Sequence, residues 1–218
     1  MQVGFIGVGT MGAGMAANLQ KAGHKLVIND LTRQAASHHL AAGGIWAETP
    51  KAVAEQCEVV FCSLPTPADV ELVALGADGV LAGFKKGSAL FDLSTNSPTV
   101  VRQIAAKFAE QGVHMMDAPV SGGPKGAKSG KLAIWVGGDK AVFERHKALL
   151  DAMGDQASYV GPIGAGSVAK LVHNCAGYIV QTGLAEVFSW GSRAASSRWR
   201  CGRRCARARS AARAPSTG

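Results

Sequence analysis

No run of eighteen apolar residues occurs among these 218, so no membrane-crossing helix is expected. No cationic leader precedes the first apolar stretch either, because that stretch, Val3 to Ile6, already reads as a strand. A cytoplasmic protein without membrane contact is the expectation. Paired C-x-x-C motifs are missing too. The five cysteines stand at Cys57, Cys62, Cys175, Cys201 and Cys205, an odd set that indicates neither a disulfide framework nor a zinc site. Acidic residues are absent beyond Glu186, whereas eight of the 23 lysines and arginines are arginines between Arg193 and Arg213. The other 15 cations match the 15 acids, so the net charge of +8 belongs to the C-terminal stretch and not to a patch on a folded domain. Apolar periodicity is lacking there as well. Residues 190–218 mix Arg, Ala, Ser and Cys, build no core and are expected to be disordered.

What the chain does have is 47% hydrophobic residues, enough for a real core. Strand patterns fall near residues 2–7, 25–30, 58–63, 88–92, 113–118, 131–137 and 157–160, with helical stretches between most of them. This alternation predicts an α/β fold whose doubly wound, Rossmann-type, mostly parallel sheet occupies residues 1–161. Val59-Val60-Phe61-Cys62 reads as a strand buried on both faces, and Leu64-Pro65-Thr66-Pro67 stops it sharply. Such sheets bind ligands at abrupt loops of this kind, which makes Leu64 and Pro65 candidate cofactor contacts. A long helix is expected to begin near Ile163, carry Val168, Leu171, Val172, Cys175, Ile179 and Val180 on its apolar side, and run to about Phe188 within a segment 162–189.

The first strand runs straight into Gly7-Val8-Gly9-Thr10-Met11-Gly12 and a helix, Ala13 to Ala22, closed by Gly23. G-x-G-x-x-G alone is a weak signal; in this strand–loop–helix context it reads as a dinucleotide site. Gly7 permits the tight turn, Gly9 removes the side chain that would block a pyrophosphate, and Gly12 lets the helix pack close to the sheet. The helix then aims its unpaired N–H groups at the pyrophosphate, with Thr10 and Met11 in the loop beside it. The second strand ends on Asn29-Asp30, eighteen residues past Gly12, where an acid can accept from an adenosine ribose. Asp30 favours NAD, whereas Arg33, three residues on, can pair with a 2′-phosphate and leaves NADP open.

Three further segments occur in order. They are Phe91-Asp92-Leu93-Ser94-Thr95-Asn96-Ser97-Pro98, Asp117-Ala118-Pro119-Val120-Ser121-Gly122-Gly123, and Gly164-Ala165-Gly166-Ser167-Val168-Ala169-Lys170-Leu171-Val172-His173-Asn174. Together with the glycine loop they resemble the β-hydroxyacid dehydrogenases, a family that includes 3-hydroxyisobutyrate dehydrogenases, tartronate semialdehyde reductases and glyoxylate or succinic semialdehyde reductases. The resemblance covers residues 2 to about 189. It implies a loop beside the nicotinamide around Thr95, a substrate loop at Ser121, Gly122 and Gly123, and a catalytic helix carrying Lys170 and Asn174. The residue types fit this chemistry. Hydride addition to an aldehyde leaves negative charge on oxygen, which a positioned ammonium such as Lys170 stabilises. Asn174 follows at i+4 on the same helix face, where it can orient the substrate or the lysine. Ser121-Gly122-Gly123 offers a hydroxyl and two unencumbered N–H groups to a carboxylate. Ser97 reads instead as a helix N-cap before Pro98.

The resemblance implies a nicotinamide cofactor and a short hydroxy acid or semialdehyde as partner, its identity left open by the sequence. Family members continue into an all-helical domain that completes the cleft, supplies a second lysine and forms the homo-oligomer. This chain instead changes composition after Ser189, which reads as a frameshift and predicts a truncated, impaired and monomeric or aggregating product. Two other classes stay open: a non-catalytic NAD(P)-binding module, and nucleic-acid binding through the arginine-rich tail; the latter is not the expectation. His24, His38 and His39 show no metal-ligand spacing and read as surface histidines. His173 is turned about a quarter turn away from Asn174 and is left out of the catalytic set, Met115, Met116 and Trp135 read as core, and Cys62 reads as a small buried hydrophobe.

Overall fold

A computed structural model of the chain describes residues 1–193. The strands are β1 (Gln2–Ile6), β2 (Lys25–Asn29), β3 (Ile45–Trp46), β4 (Val59–Cys62), β5 (Ala89–Asp92), β6 (His114–Asp117), β7 (Val120–Ser121), β8 (Ala133–Gly137) and β9 (Gln156–Gly161). The helices are α1 (Gly12–Lys21), α2 (Ser37–Ala41), α3 (Pro50–Ala54), α4 (Pro67–Leu75), α5 (Pro98–Glu110), α6 (Gly123–Ser129), α7 (Lys140–Met153) and α8 (Ala165–Arg193). The chain divides into two compact units, residues 1–171 and 172–218.

In the first unit all nine strands form one sheet, ordered β3-β2-β1-β4-β5-β6-β8-β7, with β9 pairing β8. The pairs from β3 to β6 are parallel, as the alternation predicts. β8 runs antiparallel to β6 and β7, and only β9 runs parallel to it. The two-residue strands β3 and β7 have no counterpart in the sequence reading, because two residues are too few to show a period. Between β1 and β4 the winding reverses, so the loops after these strands open at the sheet's switch point.

Strand side chains alternate into two apolar layers. Val3, Phe5, Leu26, Ile28, Val59, Phe61 and Phe91 join α1, α6 and α7 on one face. Ile6, Val27, Val60, Cys62 and Leu90 join α3, α4 and α5 on the other. Parallel register aligns Phe5 with Phe61 and Phe61 with Phe91, giving ring centroids 6.3 and 5.2 Å apart. Truncating fully buried Phe61 to alanine would cost about 3–5 kcal/mol. The expected double burial of β4 is complete, and Met115 and Met116 are core.

Helix starts follow local chemistry. Thr66 caps α4 in a capping box with Asp69, with Pro67 in its first turn, so the residues that stop β4 also start the next helix. Thr49 and Asp139 cap α3 and α7 through their side chains. Ser97 departs from its expected role: it occupies the N-cap position of α5, but its side chain caps nothing, and its N–H donates to Asn96 Oδ1 at 2.7 Å. His39 is a second correction. It is buried, not on the surface, with Nδ1 2.8 Å from Gln20 Oε1, because α2 lays it against α1. Trp135 is half-buried rather than fully core.

Of the second unit, residues 172–193 are helical, as the last part of α8. The helix extends beyond the expected end near Phe188. Val172, Tyr178, Ile179, Val180, Val187 and Trp190 on it are exposed. The expected disordered tail lies outside the described residues from 194 onward. No described helix is long and apolar enough to cross a membrane, and no group of three metal-ligating side chains occurs among the described residues.

Candidate active site

The glycines of the loop differ in what the missing side chain leaves room for. Gly7 has φ +86°, and a Cβ there would strike the Ser63 carbonyl; a Cβ at Gly12 would strike the Gly7 carbonyl and sit 3.1 Å from Phe5. Packing and backbone shape therefore require these two glycines. Gly9 is different. A Cβ there would meet nothing within 4 Å, so no protein atom explains the missing side chain. Beside this open space α1 begins with no side-chain cap at Met11, leaving first-turn N–H groups for a ligand. The residues thus fit a dinucleotide pyrophosphate.

The loop is tied to β2. Gly7 N–H donates to the Asn29 carbonyl at 3.0 Å, and Val8 N–H to Asp30 Oδ2 at 2.9 Å. Asp30 Oδ1 accepts from Thr32 N–H at 3.1 Å, so the half-buried carboxylate is held in place with lone pairs remaining for ribose hydroxyls. Asn29, expected to touch the cofactor, is buried and gives its amide to the Ala47 carbonyl at 2.9 Å. Its work is to brace β3 against the loop. Arg33 lies 5.8 Å over the Trp46 ring and 4.0 Å from Glu48, both at the end of the neighbouring strand.

A cleft of about 330 Å³ opens at the carboxyl ends of the strands. Of the expected residues it brings together Met11, Leu64, Pro65, Thr95, Ser121, Gly122, Gly123 and Lys170. Gly7, Gly9, Thr10, Gly12, Asn29 and Asp30 do not line it and lie in and beneath the glycine loop. Asn174, a turn beyond Lys170 on α8, belongs to the second unit. Of the four other lining residues, Leu93, Ser94 and Val120 fall within segments that carry the resemblance but were not singled out as site residues, and Ser63 stands outside every motif.

Ser94 and its neighbours are fixed by a buried acid. Asp92 ends β5 and accepts from Ser94 N–H at 2.9 Å and from the Asn96 amide at 2.8 Å, while the Cys62 thiol donates to it at 3.6 Å. Burial pushes the Asp92 carboxyl above its ordinary value and the Cys62 thiol well above its own. Ser94 Oγ in turn accepts the Leu64 N–H at 2.9 Å, lacing the loops after β4 and β5 together. A carboxylate that accepts the N–H two residues on is an Asx-turn, and it lies within the segment by which the sequence resembles the nicotinamide loop.

Lys170 is 9% exposed, and among the described residues no carboxylate forms an ion pair with it. Burial depresses its amine below the ordinary lysine value. Gly122 and Gly123 both take positive φ, 133° and 62°, which bends the chain after Ser121 into α6. That helix is docked on the dinucleotide helix: a Cβ at Gly14 would lie 2.8 Å from Ala127 backbone, and buried Asn18 donates to the Ala127 carbonyl at 2.7 Å.

A switch-point cleft, an uncapped helix behind a glycine loop and an anchored acid on β2 define an NAD(P)-binding domain. The chain belongs to the family of the NAD binding domain of 6-phosphogluconate dehydrogenase, whose pattern matches residues 2–161. Its homologues are 3-hydroxyisobutyrate and related β-hydroxyacid dehydrogenases. The NAD-dependent L-serine dehydrogenase of Pseudomonas aeruginosa is 41% identical over 190 residues, 87% of this chain and 64% of that protein. The mitochondrial 3-hydroxyisobutyrate dehydrogenase of Bos taurus is 41% identical over 191 residues, 88% of this chain and 57% of that protein. The solved structure of a Mycobacterium tuberculosis 3-hydroxyisobutyrate dehydrogenase with L-serine superposes with a TM-score of 0.83 at 36% identity, over 90% of this chain and 66% of that one. The chain therefore spans about three fifths of the length of these curated relatives.

Proposed function

We propose that this chain binds NAD in preference to NADP and serves the interconversion of a short β-hydroxy acid and its semialdehyde. The observation that carries the reading is the meeting of buried Lys170 with Ser121, Gly122, Gly123 and the loops after β4 and β5 in one cleft. Asp30 supports NAD: a carboxylate fixed at the end of β2 accepts from a ribose hydroxyl and repels a 2′-phosphate, while Arg33 is engaged with Glu48 and Trp46.

Bound at the glycine loop, the cofactor supplies or accepts the hydride. Every other task falls to the chain. Ser121 and the N–H groups of Gly122 and Gly123 hold the substrate carboxylate. Lys170 donates a proton to the carbonyl oxygen as negative charge develops there, and recovers it in the oxidative direction. Burial eases both roles by bringing the amine's proton affinity closer to neutrality. Leu64, Pro65 and Leu93 give the reacting end apolar walls. The relatives named above suggest L-serine and 3-hydroxyisobutyrate as the compounds to try.

The test compares wild type with Lys170→Ala in NAD reduction by these two hydroxy acids. The variant should lose activity by about two to four orders of magnitude while NADH binding persists. Binding of NADH without turnover of any hydroxy acid or semialdehyde by wild type would favour the non-catalytic module.

A further inference from the structure

Asp117 closes β6 with only 1% of its surface exposed, and the chemistry above gives its charge nothing to do. Its Oδ1 accepts the Gly164 N–H at 2.8 Å and its Oδ2 the Ser167 N–H at 2.6 Å. These are two of the donors that a helix leaves unpaired in its first turn, here the start of α8. Gly164 has no side chain to cap that turn, so the capping oxygen comes from a strand 47 residues away. A carboxylate facing the positive end of a helix makes charge-assisted hydrogen bonds of the strong kind. The surroundings are shaped to it: a Cβ at Gly137 would strike Asp117 Oδ1, and one at Gly166 would lie 2.7 Å from the Asp117 carbonyl and 3.1 Å from Oδ2. On either side of this contact stand the two halves of the cleft. Lys170 follows Ser167 by one helical turn, and the Ser121-Gly122-Gly123 loop follows Asp117 after three residues.

We propose that Asp117 is a positioning residue, whose carboxylate caps α8 from the end of β6 and so fixes the Lys170 amine in the cleft, in register with the Ser121 loop. Its importance for turnover rests on the role given to Lys170 above; its structural claim does not. Two hydrogen bonds to one helix turn set both the height of that turn and its rotation about the axis. The carboxylate's lone pairs are directed at backbone donors, so it steadies the lysine without neutralising it.

Asp117→Asn keeps the volume but turns one acceptor into a donor facing an N–H. In the full 218-residue chain, two quantities are read by peptide mass spectrometry: amide hydrogen exchange over residues 163–170 and the rate of Lys170 acetylation by acetic anhydride. Both should rise about tenfold in the variant, while exchange in α1 and α5 and the Kd for NADH stay within about twofold. If Asp117→Asn does not fold, Asp117→Ser, which retains one acceptor, is read the same way. Unchanged Lys170 acetylation in a folded variant overturns the proposal, and so does faster exchange spread evenly through the sheet and its helices. Failure of the catalytic reading shows elsewhere, as full turnover by Lys170→Ala, and leaves these measurements untouched.

Discussion

Replacing Gly9 with alanine should separate binding from folding. A Cβ at this position meets no protein atom within 4 Å, so the substitution should leave stability within about 0.5 kcal/mol of wild type. The same change at Gly12 drives a methyl into the Gly7 carbonyl at the seam of α1 and β1. Overpacking of that kind costs roughly 1–3 kcal/mol or more. For a chain of this size each kcal/mol lowers Tm by about 2–4 °C, so Gly12→Ala should lose several degrees and Gly9→Ala almost none. Cofactor affinity should move the other way. A methyl at Gly9 displaces the pyrophosphate from one or two charge-assisted hydrogen bonds at the start of α1, each of about 1.5–3 kcal/mol. NADH should therefore bind roughly a hundredfold more weakly, since each 1.4 kcal/mol is a factor of about ten. Differential scanning fluorimetry without ligand and fluorescence titration with NADH give the two numbers on the same preparations. An unchanged Kd in Gly9→Ala would refute the placement of the pyrophosphate, and a large loss of Tm would show that Gly9 serves the fold.

Asp30→Ala should weaken NADH and narrow the gap to NADPH; a wild type that already prefers NADPH contradicts the ribose assignment of Asp30. Lys170→Met should raise Tm near neutral pH, because a buried charged amine is replaced by a buried apolar chain. Its folded-state proton affinity lies below the unfolded one, so the penalty is full below the lowered value and vanishes as pH rises toward the ordinary lysine range of about 10.4. The gain should shrink along that interval, and one that persists at high pH would show that packing, not charge, is responsible. Asn18→Ala removes the bond to the Ala127 carbonyl and leaves that buried oxygen unpaired, at about 1–3 kcal/mol. Hydrogen exchange in α6 should rise ahead of that in α5, and equal rises would deny α1 a specific hold on the loop.

The parts legible in the sequence are those written in consecutive residues. The glycine loop, the short apolar runs of β1, β4 and β5 and the Leu64-Pro65-Thr66-Pro67 strand stop all announce themselves locally, and the parallel core of the sheet follows from the alternation of such strands with helices. The cleft was largely legible for the same reason, since each expected loop ends a strand at the same edge. What stayed hidden depends on distant pairs. Asn18 meets Ala127 across 109 residues and Asp117 meets Gly164 across 47, and neither spacing leaves a local mark. His39 looked like surface beside His38, yet its ring is fixed by Gln20 on another helix. Asn29 looked like a ligand contact because it precedes Asp30, while its amide is committed to Ala47. The reversal of β8 escaped notice because an isolated run of alternating residues says nothing about its direction.

The glycine loop is tied down before any ligand arrives: Gly7 by the Asn29 carbonyl, Val8 by Asp30, Asp30 itself by Thr32, and the Gly9 carbonyl by the Ala13 N–H at 2.9 Å. Its conformational entropy has thus been surrendered during folding rather than on association. Capture of the adenosine half should accordingly be fast and single-phase, with an observed rate that climbs linearly with ligand concentration and no plateau from a slow loop closure. The heat-capacity change should reflect only the apolar surface covered by the nucleotide, without the larger decrement that accompanies ordering of a segment. A dinucleotide then meets a rigid berth, and whatever motion the reaction needs must come from other parts of the molecule.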